Sequence, residues 1–111
     1  MSNFFKSSGT NLTTTAQTTL LTATAQSSFI LSSVIISNTT AGAQTVTIDF
    51  TDSSAGATYN IATDLSIGAK TSDILMNNSF VLEEGDSIKA TASAGNCIEI
   101  VISYLDRHRG A

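Results

Sequence analysis

A chain of 111 residues is a single domain, large enough to bury a core without disulfides or metals. Its net charge of −4 argues against nucleic-acid binding, which leaves a basic footprint. Hydrophobic residues reach 41%, but charged residues only 13%, against about 25% in an average soluble domain. Ser and Thr fill the gap with 33 of the 111 residues, a surface suited to a packed assembly or an exposed particle.

Residues 1–9 read as an irregular N-terminal arm whose large apolar groups are Phe4 and Phe5. That pair either hooks a neighbouring subunit or folds back on its own domain. The opening, MSNFFKSSGTN, has no apolar signal-peptide core, and no apolar run approaches the roughly 20 residues of a membrane-spanning helix. Neither a secretion leader nor membrane insertion is therefore expected. Residues 10–28 are low in complexity. Their density of β-branched Thr opposes helix and predicts one or two strands anchored by Leu20 and Leu21. Residues 29–38 form a strand, and the run Val34-Ile35-Ile36 predicts a central position covered on both faces.

Residues 44–50 alternate cleanly, with Val46, Ile48 and Phe50 facing a core and Thr45, Thr47 and Asp49 facing out. A short strand at 57–62 puts Tyr59 and Ile61 on one face, with Tyr59 and Tyr104 expected in the core or an interface. Short pieces follow around Leu65-Ser66-Ile67 and Ile74-Leu75-Met76. Residues 80–106 read as a closing hairpin, entered through the turn Glu83-Glu84-Gly85-Asp86, where Gly85 can take positive φ. In the last strand, 97–105, Ile98, Ile100, Ile102 and Tyr104 share one face. Cys97, Glu99, Val101, Ser103 and Leu105 share the other. The first face reads as core and the second as a subunit contact. Residues 107–111 are a short basic tail carrying Arg107, His108 and Arg109.

Turn signals every 8–14 residues, with no helix of normal length, predict an all-β fold: an antiparallel β-sandwich of jelly-roll or Ig-like type spanning residues 10–106. With no proline and only three lysines, the edges need another form of protection, such as bulges, loops or partner subunits.

Nothing in the chain reads as catalytic. Nucleophilic catalysis needs a base beside the nucleophile, and the single histidine, His108, sits in the tail with nothing to hold its geometry. No phosphate-binding glycine loop occurs. Cys97 has no second cysteine and reads as a small buried residue. Glu83, Glu84 and Asp86 are solvated turn acids or, as a weak candidate, a Ca²⁺ site, although their spacing is not that of an EF-hand loop. The expectation is no enzyme, no cofactor and no metal. Asn-x-Ser/Thr sequons at Asn11, Asn38 and Asn77 are what chance gives in so Ser/Thr-rich a chain.

Three segments taken together carry a family resemblance: VIISNTTAGAQTVTIDF (34–50), YNIATDLSIGAKTSDIL (59–75) and FVLEEGDSIKATASAGNCIEIVISYLD (80–106). Within them, Ile36-Ser37-Asn38 ends a central strand and Leu82 to Ile88 turns into the penultimate one. Ala92-Ser93-Ala94 with Asn96 makes a tip, and Val101-Ile102-Ser103-Tyr104 closes the fold. About two-thirds of the chain resembles the small β-sandwich virion structural proteins of tailed bacteriophages, many from marine and cyanobacterial hosts.

The resemblance implies a non-enzymatic part: capsid decoration or cement, or a neck, tail or fibre-associated adaptor. It implies a location in the virion, assembled in the host cytoplasm. The implied partners are the chain itself, often as a homotrimer, and major capsid or neck/tail proteins. Phe4, Phe5, Arg107 and Arg109 are the candidate partner contacts. A host-surface carbohydrate-binding module, Ca²⁺-assisted through Glu83, Glu84 and Asp86, is the reading from a different class.

Overall fold

The computed structural model describes residues 2–76 and 79–108, except for the side chains of Ser2 and Met76. Nine strands run in chain order: β1 (Ser2–Leu12), β2 (Thr18–Thr22), β3 (Ser27–Asn38), β4 (Gln44–Asp52), β5 (Ala57–Ile67), β6 (Ser72–Met76), β7 (Phe80–Leu82), β8 (Ser87–Ala92) and β9 (Ile98–His108). They form two antiparallel sheets. Sheet A has the order β1-β9-β3-β6, with β7 also on β3, and sheet B has the order β2-β8-β4-β5.

β6 and β7 lie along one edge of β3 and count as a single interrupted strand. The pairs are then first with last, second with second-last, third with sixth, and fourth with fifth. That is an antiparallel ribbon rolled into two facing sheets, a jelly roll. Jelly roll and Ig-like were equally open from the sequence, and the strand order selects the first.

The core is the space between the sheets. Sheet A contributes Leu12, Phe29, Leu31, Val34, Ile36, Ile98, Ile100 and Ile102, and sheet B contributes Leu20, Val46, Ile48, Ile67, Ile88, Ala90 and Ala92. The expected inward sets of β4 and β9 are therefore where the alternation puts them. β3 departs from expectation in a useful way. A β-bulge lies between Leu31 and Ser33, and Ser32 Oγ–H donates to the Ser103 carbonyl at 3.1 Å. The extra residue shifts the alternation, so Leu31 and Val34, three apart, both point inward. Ile30 and Ile35 both point outward and are half-buried, so β3 is covered fully on one face only.

Four expectations change. Residues 2–9 are not an irregular arm but most of β1, paired with β9 from Ser2↔His108 to Leu12↔Ile98. Backbone groups on an edge strand find partners only by such pairing, and Leu12 anchors it in the core. Arg107 and His108 likewise belong to β9 rather than to a tail, while Arg109 lies outside the described residues. β8 and β9 are not a hairpin, because they lie in different sheets and the 93–97 turn carries the chain across the core. Cys97 belongs to that turn, buried, with its thiol donating to the Gly95 carbonyl at 3.3 Å. Of the two places expected for Tyr59, core or interface, the core is excluded: it is 54% exposed at the rim of edge strand β5, stacked on Phe50 at 6.4 Å.

The 93–97 turn packs tightly. A Cβ on Gly95 would lie 2.6 Å from the Thr13 carbonyl oxygen, while the Asn96 N–H donates to the Leu12 carbonyl at 2.8 Å. No side chain fits there unless the β1–β2 connection moves away. We expect Gly95→Ala to cost about 1–3 kcal/mol, read as a lower urea midpoint with an unchanged slope.

Candidate functional site

The two ends of the sandwich are each pinned by one buried polar side chain. At one end Asp86 is 3% exposed. Its Oδ1 accepts the Ser53 N–H at 2.9 Å and its Oδ2 accepts the Glu83 N–H at 3.0 Å. Its own carbonyl accepts the Ala23 N–H at 2.9 Å, and the Gly85 N–H donates back to the Ala23 carbonyl at 2.9 Å. Gly85 has φ +88°, and a Cβ there would meet Ser53 Oγ at 3.0 Å. The Asp86 carboxylate thus ties the β4–β5 and β7–β8 connections together, and the backbone of Gly85 and Asp86 adds the β2–β3 connection.

At the other end Asn38 is 2% exposed. Its Nδ2 donates to the carbonyls of Gly42 (2.8 Å) and Ile67 (3.1 Å), and its Oδ1 accepts from Thr40 N–H (2.9 Å) and Oγ1–H (2.7 Å). All four hydrogen-bonding positions of the amide are used.

These pins bear on the candidate residues. Both Asp86 oxygens are engaged by backbone amides and the residue is 3% exposed, so its carboxylate is committed to the loops it joins. Glu83, Glu84 and Asp86 share the walls of a depression of about 190 Å³ with Ser28 and Ser54. Among the described residues, no three His, Cys, Asp or Glu side chains are placed to hold a metal ion. The sequon asparagine Asn38 is sequestered inside the protein, and Asn77 lies outside the described residues. His108 is held rather than mobile, with Nδ1 2.9 Å from Ser27 Oγ.

The candidate partner contacts separate. Phe4 and Phe5 project to opposite sides of β1. Phe4 lies on the Leu12 side, 51% exposed, with the Lys6 ammonium 5.9 Å from its ring centroid. Lys6 also pairs at 3.1 Å with Asp106, which is buried at that rim. Phe5 points away from the core and is 89% exposed. Arg107 shares the outer face of sheet A with Phe5, one row along β9.

That outer face holds the group that reading by segments misses. Register aligns Phe5, Leu105, Ile30 and Val81 in one row across the sheet, and Val101, Ile35 and Ile74 in another. Between them runs a row of hydroxyls, Ser7-Ser103-Ser33. Phe5, Ile74 (65%), Val81 (49%) and Val101 (43%) are large apolar side chains left in water. The outer face of sheet B is different: Thr45, Thr47, Asp49 and Thr51 on β4 lie beside Lys89 and Thr91 on β8. Only the outward set of β9 signals this surface in the sequence. Ile30, Ile74 and Val81 join it through pairing alone.

No family model matches this sequence, and no curated protein matches it. Solved structures do share the fold. One, from work on Bacillus endospore appendages described as a novel family of disulfide-linked pili, gives a TM-score of 0.59 at 12% identity, covering 98% of this chain and 88% of that one. Another, from the acidic stable capsid of Helicobacter pylori bacteriophage KHP30, gives 0.53 at 10% identity, covering 94% and 86%. Likeness at such identities establishes a common sandwich architecture and nothing about activity.

The Asp86 pin is testable. An Asn amide there would present an N–H to one of the two backbone donors. We expect Asp86→Asn to cost about 1–3 kcal/mol in thermal or urea unfolding. We also expect added Ca²⁺ to leave the melting temperature of the unsubstituted protein unchanged.

Proposed function

We propose that this chain is a non-enzymatic structural subunit of a bacteriophage virion, a capsid decoration or cement protein that self-associates and binds the particle surface. The observation that carries this reading is the outer face of sheet A, where two apolar rows stand in water on an otherwise hydroxyl-rich domain. Contiguous exposed apolar area of this kind marks an interaction site. Few charges are available for salt-bridge specificity, so apolar burial supplies the affinity. Proteins of similar fold supply context: one belongs to a pilus and one to a phage capsid, both repeating assemblies.

The capsid-type assembly suits this chain better than a disulfide-linked one. A linear array joined by disulfides needs at least two cysteines per subunit, and this chain has one, buried beside its own turn. The partners are further copies of the chain and a major capsid or neck/tail protein, and the location is the virion assembled in the host cytoplasm.

Immunogold labelling of the particles produced from the genome that encodes this chain tests the proposal. We expect gold at repeated positions on intact particles. Label confined to cell debris, with none on particles, would refute the virion role.

A further inference from the structure

We propose that the outer face of sheet A is a two-fold self-association surface, on which a second copy packs face to face with its β9 antiparallel to the first. This gives the self-association in the preceding proposal a surface and a symmetry. The outward residues of β9 are Glu99, Val101, Ser103, Leu105 and Arg107. Their polarity is palindromic about Ser103: charged, apolar, hydroxyl, apolar, charged. Their charge is antisymmetric about the same point. A two-fold axis lying across the strands at Ser103 sets Val101 on Leu105 of the second copy and Glu99 beside its Arg107. An axis running along β9 would instead stack Glu99 on Glu99 and Arg107 on Arg107, a like-charge cost that rejects that arrangement.

The neighbouring strands repeat the pattern. The outward residues of β3 are Ser28, Ile30, Ser33, Ile35 and Ser37, and the bulge after Leu31 is what brings both isoleucines to this face. Ile30 therefore meets Ile35 of the second copy. On β1, Phe5 and Gly9 are equidistant from Ser7. The most exposed large side chain of the face then enters open space, since a Cβ on Gly9 would meet nothing within 4 Å. At the far edge, Val81 meets Ile74.

An isologous contact requires each patch to be its own complement under the two-fold, and this one is. Four strands at about 4.8 Å and nine residues at about 3.4 Å give a footprint of roughly 600 Å² per copy. Two copies then bury about 1,200 Å², the lower bound for a stable interface. Facing sheets pack with their strands within about 30°, which the twist of sheet A allows.

Sedimentation equilibrium of the full chain tests the proposal. The expected species is a dimer of the 11.5 kDa chain, not the homotrimer implied by the family resemblance. Val101→Asp puts a charge into an apolar row and should raise the dissociation constant at least about 100-fold, because the carboxylate loses its water on association. A β-type circular dichroism spectrum and a cooperative melting transition would confirm that this variant folds.

Glu99→Arg and Arg107→Glu should each weaken the dimer roughly 5- to 10-fold at low salt, and the double swap should return it to within about threefold of the original. A monomeric or trimeric unsubstituted chain, a dimeric Val101→Asp variant, or a double swap no better than the single changes would each overturn the proposal. The immunogold experiment separates this surface from the virion role. A dimer absent from particles removes only the role, and a monomer present on them removes the surface and the self-association but leaves the virion role.

Discussion

The pairing of β9 with β1 on one side and β3 on the other is the interaction on which the rest of the molecule depends. Both ladders run the full length of β9, from His108 to Ile98. They join the chain's last strand to its first and to a strand some 70 residues earlier. The inward face of β9 supplies Ile98, Ile100 and Ile102, all essentially inaccessible to water. At roughly 1.5–3 kcal/mol for each fully buried side chain, these three are among the larger contributions to the core. The same strand supplies the outward palindrome of the proposed interface. One strand thus serves core and surface, because its side chains alternate strictly.

The architecture that follows is dominated by distant contacts. Among the described residues, only β4 and β5 pair as consecutive strands. Every other ladder closes a long loop before it returns stabilisation, which places such folds at the slow end of the folding scale. Asp86 and Asn38 reduce the freedom left at the two ends, since each ties several connections together through backbone hydrogen bonds. Charge on Asp86 is tolerable in burial because two amide dipoles point at it. Gly95 is required because the connections approach too closely for a side chain, and Gly85 because its φ is +88°.

The edge strands show how a chain without proline manages unpaired backbone. The β2–β8, β3–β6 and β4–β5 ladders each contain a register shift that twists or interrupts the edge. Edge strand β1 is continuous along its ladder with β9 and carries Phe5 on its outer side. Its outer face, not its edge, is the apolar feature.

Much of the fold was legible in the residues. The Thr-rich composition, the glycine turns and the alternation of Val46, Ile48, Phe50 and of Ile98, Ile100, Ile102 determine an all-β sandwich and which side chains enter its core, since the period of two acts within one strand. The same reading makes a hairpin of β8 and β9, which in fact lie in different sheets, because strand periodicity carries no information on which strand pairs with which.

Tertiary structure decided everything that depends on which strands become neighbours. It turned the expected arm into β1, drew Asp86 inward from a would-be metal site, and let a single bulge in β3 put Ile30 and Ile35 on one surface. It also aligned Phe5, Val81 and Ile74 with β9 into apolar rows. Residues on separate strands share a row only through hydrogen-bond register, and register across a jelly roll is set by packing between distant segments, not by any local pattern in the sequence.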